Sequence, residues 1–177
     1  LSDGILFSVQ DLLTLMIIVS DNTATNALID ILGMQSVNKT MRSLGYYGIV
    51  LNRKMYDWDA VEQGRENYVV ASEMTDLLLR LARRELVTPE LDGLAHDIMR
   101  AQLFSDVLGL FLPEGVLANK TGQVGTAVND CGIVTTDGFS YAIAVFTQDT
   151  ASIGETKVAI GRISKLIYDA VTGKNCG

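Results

Sequence analysis

Ser20-Asp21-Asn22 and Lys120-Thr121-Gly122 lie about a hundred residues apart and carry side chains suited to acyl transfer. A lysine on a strand supplies a fixed positive charge that attracts a substrate carboxylate. It also favours deprotonation of a serine hydroxyl opposite, because an opposite charge stabilises the ionised form. Thr121 adds a hydroxyl donor to the same carboxylate, and Gly122, lacking Cβ, lets a ligand lie against the strand. The backbone N–H of Gln123 is a candidate oxyanion donor, a contact worth about 3 kcal/mol to a transition state. Each tripeptide also has a plain structural explanation. Ser, Asp and Asn are all preferred helix caps, and Lys-Thr-Gly fits an ordinary strand followed by a turn. Their occurrence together, in this order, is the more specific signal.

The elements that must position these residues can be read along the chain. Phe7-Ser8-Val9-Gln10-Asp11-Leu12 has the form of a capping box with a hydrophobic staple between Phe7 and Leu12. The helix it opens runs to about Val19 and is apolar on nearly every face, which predicts burial all round. After the Ser-Asp-Asn turn, helices are expected over 23–32, stopped by Gly33, and over 36–44, ended by Gly45. Residues 46–70 lack periodicity and read as a long surface loop of the kind that is usually functional. Further helices are expected over 72–84, from Thr88-Pro89 to about Ala101, and briefly over 105–111. The period then changes. Strands are expected over 116–120, 132–135 and 139–146, with Asp137-Gly138 as a tight hairpin between the last two. A final helix over 152–171 would present Val158, Ile163, Leu166, Ile167 and Ala170 on one face. Helices, then a short antiparallel sheet, then a covering helix make an α+β plan in one domain spanning 1–177.

On the run Ile18-Val19-Ser20-Asp21-Asn22-Thr23-Ala24-Thr25-Asn26 and on Lys120-Thr121-Gly122, the sequence resembles class A β-lactamases and penicillin-binding proteins, whose third signature is Ser-x-x-Lys. The resemblance covers essentially the whole chain and implies a bacterial, extracytoplasmic, penicillin-recognising serine hydrolase. It implies that Ser20 relays a proton to the leaving nitrogen and that Asn22 grips the acyl side chain of the substrate. Asp21 is then structural, with its carboxylate tied to backbone amides. It further implies that the Ser20 hydroxyl and the Lys120 ammonium converge across a groove. No cofactor or metal is implied.

The nucleophile of that family is missing from its expected place. The chain contains one Ser-x-x-Lys string, Ser36-Val37-Asn38-Lys39, downstream rather than upstream of Ser-Asp-Asn, where Ser36 reads as an N-cap and Lys39 as a solvated side chain. The sequence therefore reads as the later part of such a hydrolase, without its N-terminal strands and nucleophile helix, and inactive alone because no activated nucleophile is present. The loop at 52–67 also lacks the Glu-x-x-x-Asn element of class A deacylation, offering only Asp57, Asp59, Glu62 and Glu66. A β-lactamase-like hydrolase, a D,D-peptidase or esterase of the same superfamily, and a non-catalytic binding or assembly module are the competing readings.

Composition narrows the partners. A net charge of −7 over 177 residues argues against nucleic acid. The apolar run Leu12 to Val19 is too short to span a bilayer. His96 is the sole histidine and Cys131 and Cys176 are far apart, so no metal set forms. The partner expected is a β-lactam or a peptidoglycan-like small molecule. By the resemblance, a bare sheet edge and an uncovered face of the last helix would remain, and these predict a dimer or swapped form.

Overall fold

The structure is a computed structural model that describes residues 4–173. Cys176 lies outside them. The chain is α+β, with helices preceding a three-stranded antiparallel sheet in the order β1-β2-β3 and one long helix after it. It divides into two compact units, 1–74 and 75–177.

The first unit is helical. The Ser8 hydroxyl accepts from the Asp11 amide at 3.1 Å and the Asp11 carboxylate accepts from the Ser8 amide at 2.8 Å, so α1 (Val9–Ile18) opens on the expected box. Phe7 packs with Leu12, Ala24 and Leu28, joining α1 to α2 (Asn22–Leu32). The expectation that α1 is buried all round does not hold. Only Leu12 is buried, and residues 13–18 are half-buried, because α2 covers one side of a helix that is apolar on several. α3 (Met34–Ser43) starts earlier than expected. Gly33, at φ 77, occupies its N-cap, so Ser36 lies inside the first turn and is not a cap.

Residues 46–70 form a structured loop. It contains α4 (Trp58–Glu62), and its ends are closed by a Val50–Tyr68 bridge with hydrogen bonds of 3.0 and 2.9 Å. Sequence periodicity misses this because the loop is held by side chains. Asn38 bonds both backbone groups of Leu51, Asn26 both of Met55, and Asn67 accepts from the amides of Asn52 and Arg53. At the loop's start, the Glu73 carboxylate on α5 (Ala71–Ala82) accepts from the amides of Tyr47, Gly48 and Ile49.

The second unit is built on the sheet. α6 (Pro89–Arg100) has Thr88 as N-cap and proline in its first turn, as expected. Residues 105–111 are turns rather than the short helix expected. β1 (Leu117–Val124) and β2 (Ala127–Thr135) are longer than expected, since Thr121, Gly122 and Gln123 in β1 and Asn129 and Asp130 in β2 continue the strands without apolar side chains, and β3 (Ser140–Phe146) matches its expected run to within one residue. The Asp137-Gly138 hairpin falls between β2 and β3 as expected. One sheet face, with Val128, Val134 and Ile143, packs on Val107, Leu108, Ile160 and Tyr168. α7 (Ile153–Thr172) thus buries Ile160, Gly161, Ser164, Tyr168 and Asp169, and leaves Ile163 and Leu166 exposed. The expected face of α7 is corrected. Gly161 lets the helix approach residues 107–111 closely, since a Cβ there would stand 3.0 Å from the Val107 carbonyl oxygen, and apolar size alone misleads. Gly132 is required for a similar reason, because a Cβ there would stand 2.5 Å from the Ala118 carbonyl oxygen.

Candidate active site

In the first unit, the Ser20-Asp21-Asn22 segment is the hinge between α1 and α2. The Asp21 amide reaches back to the Leu15 carbonyl at 3.1 Å, and Ser20 sits between them at φ 56. A serine in the left-handed region is uncommon and costs about 1 kcal/mol. Such strain persists where surrounding contacts over-determine it, often at functional sites. Asp21 supplies those contacts, since its Oδ1 accepts from the Ala24 amide at 2.7 Å and its carbonyl accepts from the Thr25 hydroxyl at 2.8 Å. Asn22 is half-buried on the first turn of α2, and its Nδ2 donates to the Tyr56 hydroxyl at 3.1 Å. Ser36 and Lys39 are both exposed on α3.

In the second unit, Lys120, Thr121, Gly122 and Gln123 run along β1, an edge strand with no strand partner on its outer side among the described residues. Exposure rises along it. Lys120 and Thr121 are half-buried, and Gly122 and Gln123 are open. Strand alternation sends Lys120 and Gly122 to one face and Thr121 and Gln123 to the other. A Cβ at position 122 would meet only Asn129 Cβ, at 3.7 Å, so packing does not demand glycine there. The Lys120 ammonium donates to the Thr121 carbonyl. Burial lowers the Lys120 pKa, opposed by the Asp130 charge.

Sequence reasoning missed the support beneath β1. Asp130, opposite Thr121, has no exposed surface and accepts from the Leu108 amide at 3.0 Å and from Asn119 Nδ2 at 3.0 and 3.1 Å. Desolvation outweighs these donors and the Lys120 charge, and raises its pKa to about 6. Cys131, on the Lys120 side of the sheet, is buried and free, and burial raises its thiol to about 12. Tyr56 was also missed. Its bond to Asn22 spans 34 positions, with no local pattern to announce it. Among the described residues no group of His, Cys, Asp or Glu could hold a metal ion.

A family model described as the beta-lactamase enzyme family matches residues 1–171. The chain belongs to that family. No curated protein matches it. Among solved structures, a β-lactamase from Sphaerobacter thermophilus DSM 20745 is 31% identical with a TM-score of 0.90, over 97% of this chain and 66% of that one. PBP-A is 25% identical with a TM-score of 0.84, over 98% and 64%. A class A β-lactamase from Bacteroides cellulosilyticus DSM 14838 is 27% identical with a TM-score of 0.83, over 96% and 65%. This β-lactamase-family chain thus spans slightly less than two thirds of the relatives' length. No helix among its described residues is long and apolar enough to cross a membrane.

Proposed function

We propose that this chain carries part of the machinery of an extracytoplasmic serine hydrolase that opens β-lactams or related cell-wall amides through an acyl-enzyme. Ser20 relays the proton to the leaving nitrogen. Lys120 attracts the substrate carboxylate. Asn22 binds the substrate acyl side chain, Thr121 donates to the carboxylate from the open edge of β1, and Gly122 and the Gln123 amide line the reacting carbonyl. The observation that carries the reading is the Ser20-Asp21-Asn22 hinge, where a left-handed turn capped by Asp21 holds Ser20 and Asn22 at the junction of two helices. A crystallised PBP-A mutant is an acyl-enzyme complex with penicillin G, which makes the same ligand class a reasonable probe. By itself the 177-residue chain is inactive on this reading, since its one Ser-x-x-Lys string is the exposed Ser36–Lys39. Intact mass after incubation with benzylpenicillin tests this. The chain alone should gain no adduct, and a polypeptide extended upstream with a Ser-x-x-Lys helix should gain one penicillin. An extended protein that never acylates at high ligand refutes the proposal.

A specific observation favours slow turnover, closer to a D,D-peptidase or esterase. Two of the loop's four carboxylates are committed elsewhere, Asp57 capping α4 and Glu66 pairing with Arg53 at 2.7 Å, and Asp59 and Glu62 are exposed. A stable acyl-enzyme supports this version, and rapid hydrolysis of a chromogenic cephalosporin rules it out. Self-association through the outer side of β3, which carries no charged residue, belongs to the same reading. Light scattering that finds only monomer at high concentration overturns it.

A further inference from the structure

Tyr56 is bonded to Asn22 and Trp58 stands beside Tyr56, and neither is called for by the Ser-Asp-Asn or Lys-Thr-Gly pattern. Both are exposed, at 65% and 62%, and their ring centroids stand 6.1 Å apart at a tilt of 47°. Tyr56 has φ 62, in the left-handed region that bulky residues avoid. Contacts on both sides hold it there. Asn26 fixes the preceding residue, giving a hydrogen bond to the Met55 carbonyl at 3.0 Å and taking one from its amide at 2.8 Å. On the other side, Asp57 (φ −79, ψ 79) forms an inverse γ-turn in which the Trp58 amide donates to the Tyr56 carbonyl at 3.0 Å. Asp57 then caps α4 through the Ala60 amide at 3.1 Å.

A strained tyrosine fixed from both sides, its ring in water and its hydroxyl on Asn22, is poorly explained by packing. Observed strain of this kind points to function. The hydroxyl accepts one Nδ2 hydrogen of Asn22 and so leaves that carboxamide its second hydrogen and its oxygen for a ligand. The tilted rings leave faces and edges free, and a third ring can join such a pair edge-to-face or offset.

We propose that Tyr56 and Trp58 form the acyl-side-chain subsite beside Asn22, Tyr56 positioning the carboxamide and the two rings selecting amide ligands whose acyl group carries an aromatic ring. This rests on the amide-substrate reading above and specifies its ligand class.

Trp58 is the only tryptophan in the chain, so its emission reports this place alone. Titration of the 177-residue protein with N-phenylacetylglycine and N-acetylglycine compares ligands that share an amide and a carboxylate and differ in the ring. The phenylacetyl compound is expected to bind about tenfold more tightly and to perturb Trp58 emission saturably. Tyr56→Phe should weaken both ligands about three- to tenfold, leave their ratio unchanged and keep the urea midpoint of the unmodified chain, whereas a general loss of structure would lower that midpoint. Trp58→Leu, followed by calorimetry, should bring the ratio towards one. The ratio itself is measured on the unmodified chain and does not depend on any variant folding. Equal affinities for the two amides overturn this inference and leave the hydrolase reading standing. Unchanged affinities in Tyr56→Phe remove the positioning role. If neither amide binds at all, the amide-substrate reading falls and the inference falls with it.

Discussion

Replacing Asp130 by asparagine should uncouple stability from pH between about 4 and 6. The Asp130 carboxyl has no exposed surface, and burial raises its pKa from the ordinary 3.8 to about 6 in the folded chain. The folded state therefore binds this proton more tightly than the unfolded state does. Stability from the group is fully present below pH 3.8 and is lost as pH rises to about 6. The gap between those values, at ~1.4 kcal/mol per pH unit, amounts to about 3 kcal/mol. The groups that face the carboxyl are the Asn119 carboxamide, the Leu108 and Cys131 amides and the Lys120 ammonium, and all of them oppose the rise. An asparagine cannot ionise, so its effect is a constant offset at every pH. Urea unfolding followed by far-UV circular dichroism, run on both proteins from pH 3.5 to 7.5, gives the difference directly. The unmodified chain should lose about 3 kcal/mol relative to Asp130→Asn across that range. Profiles parallel within about 0.5 kcal/mol would refute the assignment, because ionisation would then cost the folded state nothing.

Three further outcomes follow from the same geometry. Ser20→Gly should stabilise the chain by no more than about 0.5 kcal/mol in urea unfolding, since the relief of the left-handed strain at φ 56 is largely offset by the added unfolded-state entropy. The same change should abolish acylation turnover in an extended protein. Glu73→Ala should cost about 2–3 kcal/mol and raise hydrogen exchange at Tyr47, Gly48 and Ile49, whose amides lose a charged acceptor. Cys131, buried with its thiol raised to about 12, should resist a thiol reagent at pH 8 in the native chain and react once urea is added.

Much of the scaffold was legible where local chemistry decides it. The Ser8–Asp11 box, Thr88-Pro89 and Asp137-Gly138 each carry their own instruction within four residues, and each opens or closes the expected element. The two tripeptides of the candidate site were legible as motifs, and the family match agrees with the resemblance drawn from them. Long-range contacts were not legible. The loop at 46–70 owes its order to the carboxamides of Asn26 and Asn38 outside it and of Asn67 at its far end, and no periodicity within it records that. Asp130 could have been suspected, since a carboxylate between Val128 and Ile133 is out of place in an apolar run. The strand assignment stopped at Gly132 and passed over it. On α7, counting large apolar residues pointed to Ile163 and Leu166, while the buried face was marked by Gly161 and Ser164.

Asn26, Asn38 and Asn67 act in the loop as detached peptide groups, offering one donor and one acceptor each where a neighbouring strand would have done so. They grip only main-chain atoms of residues 51, 52, 53 and 55. The path of this stretch is thus written outside it, by anchors that touch no side-chain polar group of Leu51 or Met55. An aspartate at any of the three anchors would set a carboxylate against a carbonyl and release the segment.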